Sequence, residues 1–293
     1  MKIALYGRIL TEPLPERLQI LFDELESIKA ELYLHKDYLK YLSGQFRING
    51  KVETHSDYES IRGKADFLLS IGGDGTLLET IAFVRNSGIP ILGINAGRLG
   101  FLAAIAADDE IRAAIKALKS RKFSLDKRSL LKLVKPDDLF GDVSFALNEF
   151  TVQRKDSSAM MTIHTYVDGV FLNSYWADGL IIATPTGSTA YSLSCGGPLM
   201  VPEARSFSIT PLSPHNLNVR PLVVPDDCSI TIRVEGRSPQ YLAGLDSRTQ
   251  AFDAGAELTV QKEDFKINLV RLPGQHFFNT IRNKLMWGLD RRN

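Results

Sequence analysis

ADFLLSIGGDGTLLETIAFV, Ala65 to Val84, runs from an apolar stretch through three glycines and one acid into a second apolar pattern. Ala65 to Ile71 has the length and composition of a strand, while Leu77, Leu78, Ile81, Ala82 and Val84 recur at helical spacing before Asn86-Ser87-Gly88 supplies a stop. Strand, glycine turn and helix in that order predict an α/β layer. The turn itself is unusual, because Gly72, Gly73 and Gly75 surround a lone carboxylate, Asp74.

Outward from this unit the same alternation continues. Ile3 to Tyr6 reads as a first strand, and Leu18, Leu21, Phe22, Leu25 and Ile28 predict a helix over Glu16 to Leu32, with another over Lys36 to Gln45. Ile89 to Ile94 is a nearly continuous apolar run, as expected of a parallel strand covered on both faces. Asp108-Asp109 then open an amphipathic helix carrying Ile111, Ala114, Ile115 and Leu118. Residues 1–122 are therefore expected to form a doubly wound, Rossmann-like α/β domain whose ligands sit at the carboxyl ends of the strands. Beyond Phe123 the period drops to two: Met161, Ile163, Thr165 and Val167 alternate with polar neighbours, Asp168-Gly169 supplies a hairpin turn, and Ile230-Ile232-Val234, Leu258-Val260 and Ile267-Leu269 repeat the pattern. Residues 123–276 are expected to be a β-rich, sandwich-like domain that binds the substrate, and a helix over Phe277 to Leu289, in the segment 277–293, to pack back on the first domain.

A net charge of +1 gives no basic field, which argues against nucleic acid or an anionic membrane as partner. The 2 cysteines, Cys195 and Cys228, form neither a C-x-x-C pair nor a disulfide framework, and no window reaches membrane-spanning length, so a cytoplasmic protein is expected.

Four motifs carry the chemistry. Glycines flanking Asp74 let the backbone come close to a ligand, and the amides opening the next helix attract phosphate. An acid in that place either accepts a proton from an attacking hydroxyl or organises a metal that escorts the phosphate; helix capping is the structural alternative. The turn is neither a Walker A loop nor G-x-G-x-x-G. Asn148-Glu149-Phe150 can offer an amide and a carboxylate to a base edge or ribose hydroxyls, or be a polar bend beside a strand. DGLIIATPTGSTAYSLSCGGP, Asp178 to Pro198, leads from an apolar strand into a loop of small hydroxyls suited to a polar, extended ligand, with Tyr191 able to stack on a flat ring; a solvated Ser/Thr loop is the alternative. The fourth, SPHNLNVRPLVVP from Ser213 to Pro225, contains His215, which is read as structural.

These motifs, together with NAGRLGFL at Asn95 to Leu102, stand in the order and approximate spacing of NAD kinases, and the sequence resembles the bacterial branch of that family over most of its length. GGDG alone is shared with diacylglycerol, sphingosine and phosphofructokinases; the Asp178 to Pro198 stretch makes the resemblance specific. The resemblance implies transfer of the γ-phosphoryl group of ATP to the 2′-hydroxyl of the adenosine ribose of NAD, with a divalent cation, usually magnesium, in a homodimer or homotetramer. It makes Asp74 the proton acceptor with Gly75 beside the ribose, Asn148 and Glu149 ligands of adenine or ribose, and Asp178 the acid on the nicotinamide side. Thr189, Ala190, Tyr191, Ser192, Leu193 and Ser194 match the loop over the adenosine. Two places depart from the common bacterial pattern: Trp176 stands where a basic residue is frequent, and Asp246-Ser247-Arg248 replaces the usual Asp-Gly-Gln or Asp-Ser-Gln. Arg98, Arg220 and Lys132 stay open as ligands of the donor phosphates. The competing readings are a GGDG-type lipid kinase, which would want an apolar acceptor pocket or a membrane-facing surface, and a non-catalytic NAD(P)-sensing regulator, which would not need the acid.

Overall fold

The computed structural model describes residues 1–9, 16, 18–97, 100–103, 105–155 and 160–287. The chain forms two compact units, Met1–Lys127 with Ile267–Asn293, and Arg128–Lys266. The divisions fall inside two continuous strands, whereas the expected 122/123 and 276/277 fall just beyond one helix and at the start of another.

The first unit is an open parallel sheet. Its strands β1 (Lys2–Gly7), β2 (Glu31–His35), β3 (Val52–His55), β4 (Phe67–Gly72) and β5 (Ile91–Asn95) lie in the order β3-β2-β1-β4-β5, with helices α1 (Leu18–Ser27), α2 (Lys36–Ser43), α3 (Tyr58–Ile61), α4 (Asp74–Val84) and α5 (Asp108–Ser120) between them or following them. This is the doubly wound order, and its switch point lies between β1 and β4. Alternation along the strands explains why both faces are covered. Ile3 and Leu5, Phe67 and Leu69, and Leu92 and Ile94 join one core with Leu21 and Leu25 of α1 and Ile111 and Ile115 of α5. On the opposite face Tyr6 meets Phe83 of α4, ring centroids 4.7 Å apart.

The helix expected over Glu16 to Leu32 stops at Ser27. Lys29 turns the chain with φ 53°, and Glu31 begins β2, so Leu32 and Leu34 are buried as strand residues. Strand β3 was not anticipated: VETH is short, lies at the sheet edge, and exposes Glu53 and Thr54.

The second unit is a sandwich of antiparallel strands. They are β6 (Ser124–Lys135), β7 (Phe145–Ala146), β8 (Glu149–Arg154), β9 (Met161–Val167), β10 (Val170–Ala177), β11 (Gly179–Ala183), β12 (Ser206–Leu212), β13 (Leu222–Pro225), β14 (Ile230–Gly236), β15 (Gln240–Leu245), β16 (Arg248–Asp253) and the 15-residue β17 (Glu257–Arg271). One layer runs β10-β9-β14-β17, with β6 on β17 and β7 on β6; the other runs β13-β12-β11-β8-β15-β16. Their inner faces share a core that includes Ile163, Ile232 and Leu258 from one layer and Phe150, Ile182 and Ile209 from the other. The β9–β10 hairpin turns at Asp168-Gly169, both at positive φ, as the dipeptide predicts. A short helix, α6 (Tyr191–Ser194), follows β11. The last helix, α7 (Phe277–Leu285), belongs to the first unit, where it buries Ile281. The predicted residues beyond 287 lie outside the described ones. Among the described residues no helix is long and apolar enough to cross a membrane.

Candidate active site

Asp74 is the first residue of α4, at the carboxyl end of β4, but it does not cap its own helix. The N-cap is Gly73, and no side chain caps there. The Asp74 carboxylate turns instead toward the 100–103 loop after β5: the Phe101 amide donates to Oδ2 at 2.5 Å, and the Leu102 and Ala103 amides both donate to Oδ1 at 2.9 Å. That loop is pinned in turn by buried Asn95, whose Nδ2 donates to the Ala103 carbonyl at 3.1 Å and whose Oδ1 accepts from the Gly97 amide at 2.8 Å. Gly100 is required by the close approach, because a Cβ on it would fall 1.8 Å from Asp74 Oδ1. The far end of the motif is fixed as well: Glu79 accepts from the Tyr6 hydroxyl at 3.0 Å and from Arg8 Nε at 2.9 Å. The capping alternative is thus replaced by a charged side chain held in one orientation by three backbone donors. A cavity of about 350 Å³ lined by Tyr6, Arg8, His35 and Asp37 opens at the carboxyl ends of β1 and β2.

In the second unit the structure brings Asn148 and Glu149 onto Asp246. The amides of Leu147, Asn148 and Glu149 donate to the Asp246 carboxylate at 2.9, 2.8 and 3.2 Å. Asp246 takes φ 52° in the turn between β15 and β16, so its carboxylate serves as the cap of the NEF bend. Arg248 donates to the Val143 and Phe145 carbonyls and so holds the segment that precedes NEF. The departures noted at Asp246 and Arg248 therefore have structural employment, which their loose match in sequence did not reveal. Burial raises the Asp246 carboxyl, against the three amides and Arg248, which lower it. Burial and the neighbouring Asp246 push Glu149 up to about 8, despite an amide bond from Tyr191, and Glu149 Oε2 is buried with no hydrogen-bond partner among the described residues.

This shift has a signed consequence for stability. Unfolded, Glu149 loses its proton near 4.5; folded, it keeps it to about 8. Over that window the native state binds the extra proton, so the contribution is full below pH 4.5 and is lost as pH rises through about 8. Glu149→Gln should accordingly melt higher than the parent above pH 8, with the gap closing toward lower pH. Thermal melts from roughly pH 5 to 9 read this directly, and a gap independent of pH would remove Glu149 as the titrating group.

The Asp178 to Pro198 stretch divides its hydroxyls between two tasks. Thr184 Oγ1 donates to the Leu147 carbonyl and accepts from the Gly187 amide, while Ser188 Oγ donates to the Pro185 carbonyl at 2.7 Å and accepts from the Met200 amide at 3.0 Å. Ser192 is buried against Thr210 Oγ1, 3.0 Å away. These groups hold the loop. Thr189, Ala190 and Leu193 are half-buried, and Tyr191 and Ser194 are exposed, so these are the predicted residues that face outward. Gly187 packs on the NEF bend, where a Cβ would lie 2.0 Å from the Asn148 carbonyl oxygen. Asp178 forms an ion pair with Arg154 at 3.1 Å, and both Asp178 and Glu149 act on the Tyr191 hydroxyl, which burial chiefly raises. Glu149, Asp178 and Tyr191 thus share one neighbourhood.

His215 packs against Trp176 with ring planes tilted by 41° and centroids 4.9 Å apart, and its amide donates to the Trp176 carbonyl, a structural placement. Of the cations considered for the donor phosphates, Lys132 pairs with Glu263 and Asp264, and Arg220 donates to the Leu217 and Val219 carbonyls of its own loop. Arg98 lies outside the described residues. Among the described residues no group of three or more His, Cys, Asp or Glu side chains is arranged around a common metal position. Magnesium that travels on nucleotide phosphates needs only one or two carboxylates and no such cage.

Two family models match the chain: the ATP-NAD kinase N-terminal domain over residues 14–123 and the ATP-NAD kinase C-terminal domain over residues 147–272. An NAD kinase from Cytophaga hutchinsonii is 47% identical over 293 residues, covering 100% of both chains. Among solved structures, a yeast NADH kinase complexed with NADH superposes with a TM-score of 0.86 at 24% identity, covering 99% of this chain and 88% of the other. An NAD kinase from Archaeoglobus fulgidus in complex with ATP gives 0.73 at 23% identity and 98% coverage of each. The two structures speak to the fold, whereas the two domain models and the full-length relative reach across both units, and on them the chain belongs to the NAD kinase family.

Proposed function

We propose that this chain transfers the γ-phosphoryl group of ATP to the 2′-hydroxyl of the adenosine ribose of NAD, giving NADP and ADP. The observation that carries the chemistry is Asp74, an acid in a glycine turn that is oriented by three amides rather than spent on helix capping. In this reading Asp74 accepts the proton of the attacking hydroxyl, and Gly75 leaves room for the ribose beside it. Asn148, Glu149, Asp178 and the outward residues of the Thr189 to Ser194 loop bind NAD. Glu149, kept protonated near neutral pH, offers the ligand both an O–H donor and an acceptor oxygen.

Phosphoryl transfer passes through a loose transition state, so orientation and charge neutralisation outweigh early deprotonation. The three amides fix where the carboxylate oxygens stand, so the acid is in place when the proton is given up late. Magnesium carried on the donor phosphates would supply neutralisation of the charge on the transferred group. The reading also carries a cytoplasmic homo-oligomer, whose size light scattering would give.

A coupled assay for NADP with purified protein, NAD, ATP and magnesium tests the proposal, and robust NADP formation is expected. NAD binding without turnover on any phosphoryl donor would replace it with a sensing role. Phosphorylation of a diacylglycerol in its place would make the chain a lipid kinase.

A further inference from the structure

The cations first considered for the donor phosphates are paired, bonded to their own loop, or outside the described residues, yet the first unit holds another. Lys284, on the last turn of α7, has its ammonium nitrogen shut off from solvent with no hydrogen-bond partner among the described residues. It lies over the Phe101 ring, 5.0 Å from the centroid. Phe101 is the residue whose amide holds Asp74 Oδ2. Burial lowers the proton affinity of Lys284, and the Asp74 carboxylate is the charge that raises it.

A buried ammonium with three donors and no acceptor is costly, and an aromatic face returns only part of that cost. Packing alone therefore gives no reason for a lysine here, since a methionine would cover Phe101 with the same stem. What the position lacks is an anion. We infer that Lys284 receives a non-bridging phosphate oxygen of the phosphoryl donor beside Asp74. This rests on the reading of the chain as an ATP-dependent kinase. It sets a cation for the transferred group and a carboxylate for the attacking hydroxyl on either side of one loop residue, Phe101, which is the charge arrangement that phosphoryl transfer needs. The C-terminal helix thereby contributes to the site, and not only to the core through Ile281.

The test compares Lys284→Met and Lys284→Arg with the parent, using two readouts: initial rates against ATP and NAD separately, and the thermal shift produced by magnesium tripolyphosphate. Lys284→Met should lower kcat/KM for ATP by about 10²-fold, the scale of losing one charge-stabilising donor, while KM for NAD stays within about threefold. Lys284→Arg should recover part of that loss. Tripolyphosphate should stabilise the parent and Asp74→Asn but not Lys284→Met. If Lys284→Met keeps the parent's tripolyphosphate shift, or loses ATP and NAD kinetics in equal measure with a lowered Tm, Lys284 is a packing residue and the inference falls. If the parent makes no NADP but its tripolyphosphate shift still depends on Lys284, the anion site stands and the kinase reading falls.

Discussion

Asp74→Asn is expected to lower kcat by about 10²- to 10⁴-fold, or roughly 3 to 5.5 kcal/mol of transition-state stabilisation, while the dissociation constant for NAD changes far less. The substitution keeps the shape of the side chain and removes its capacity to take a proton. It also disturbs the clamp in a defined way. If Asn keeps an oxygen toward Leu102 and Ala103, its amide nitrogen faces the Phe101 N–H, a donor against a donor. That mismatch should cost about 1 to 3 kcal/mol of local stability, so a thermal melt must accompany the kinetics. Turnover in the coupled assay, NAD binding by calorimetry and the melt together separate the three effects. A variant with near-parental turnover would take Asp74 out of the proton-accepting role.

The fold was largely legible because period and punctuation agree. In the first unit the βαβ alternation around GGDG predicted the parallel sheet, and in the second the two-residue alternation of Met161 to Val167 and Ile230 to Val234 predicted paired strands, which β9 and β14 realise in register. What escaped was short or continuous. Leu32 and Leu34 satisfy helix and strand patterns equally well, and only the left-handed turn at Lys29 decides between them. The two passages between units run along the unbroken strands β6 and β17, where nothing in composition marks a linker.

The site was legible to a different degree. Glycine spacing and lone acids point to where a ligand comes, but the partners of those acids are main-chain amides, which every residue carries and no motif advertises. So Asp74 could be picked out, yet not the three amides of Phe101, Leu102 and Ala103 that orient it. The same holds for Asp246 beneath Asn148 and Glu149. Density of hydroxyls in the Asp178 to Pro198 stretch did not tell which are spent within the fold: Thr184 and Ser188 bond buried backbone and Ser192 meets the Thr210 hydroxyl. Lys284 gave no signal at all: in sequence it stands beside Arg282 as a second basic residue on an amphipathic helix, and its burial beside Phe101 is a tertiary fact.

Gly100→Ala is expected to cost about 10²-fold in kcat although residue 100 carries no reacting group. Its effect is steric: an added Cβ would fall 1.8 Å from Asp74 Oδ1 and 2.2 Å from its Cγ, so either the carboxylate or the 100–103 loop must give way. A displacement of about 1 Å at a reacting group is enough for a loss of that size. Because the damage runs through Asp74, it should not multiply with removal of the carboxylate: the Gly100→Ala, Asp74→Asn double variant should turn over no more slowly than Asp74→Asn alone. Coincidence of the two rates makes the clamp the route by which Gly100 acts. Losses that multiply would show Gly100 serving the reaction independently of Asp74, and the orienting role assigned to the loop would have to be given up.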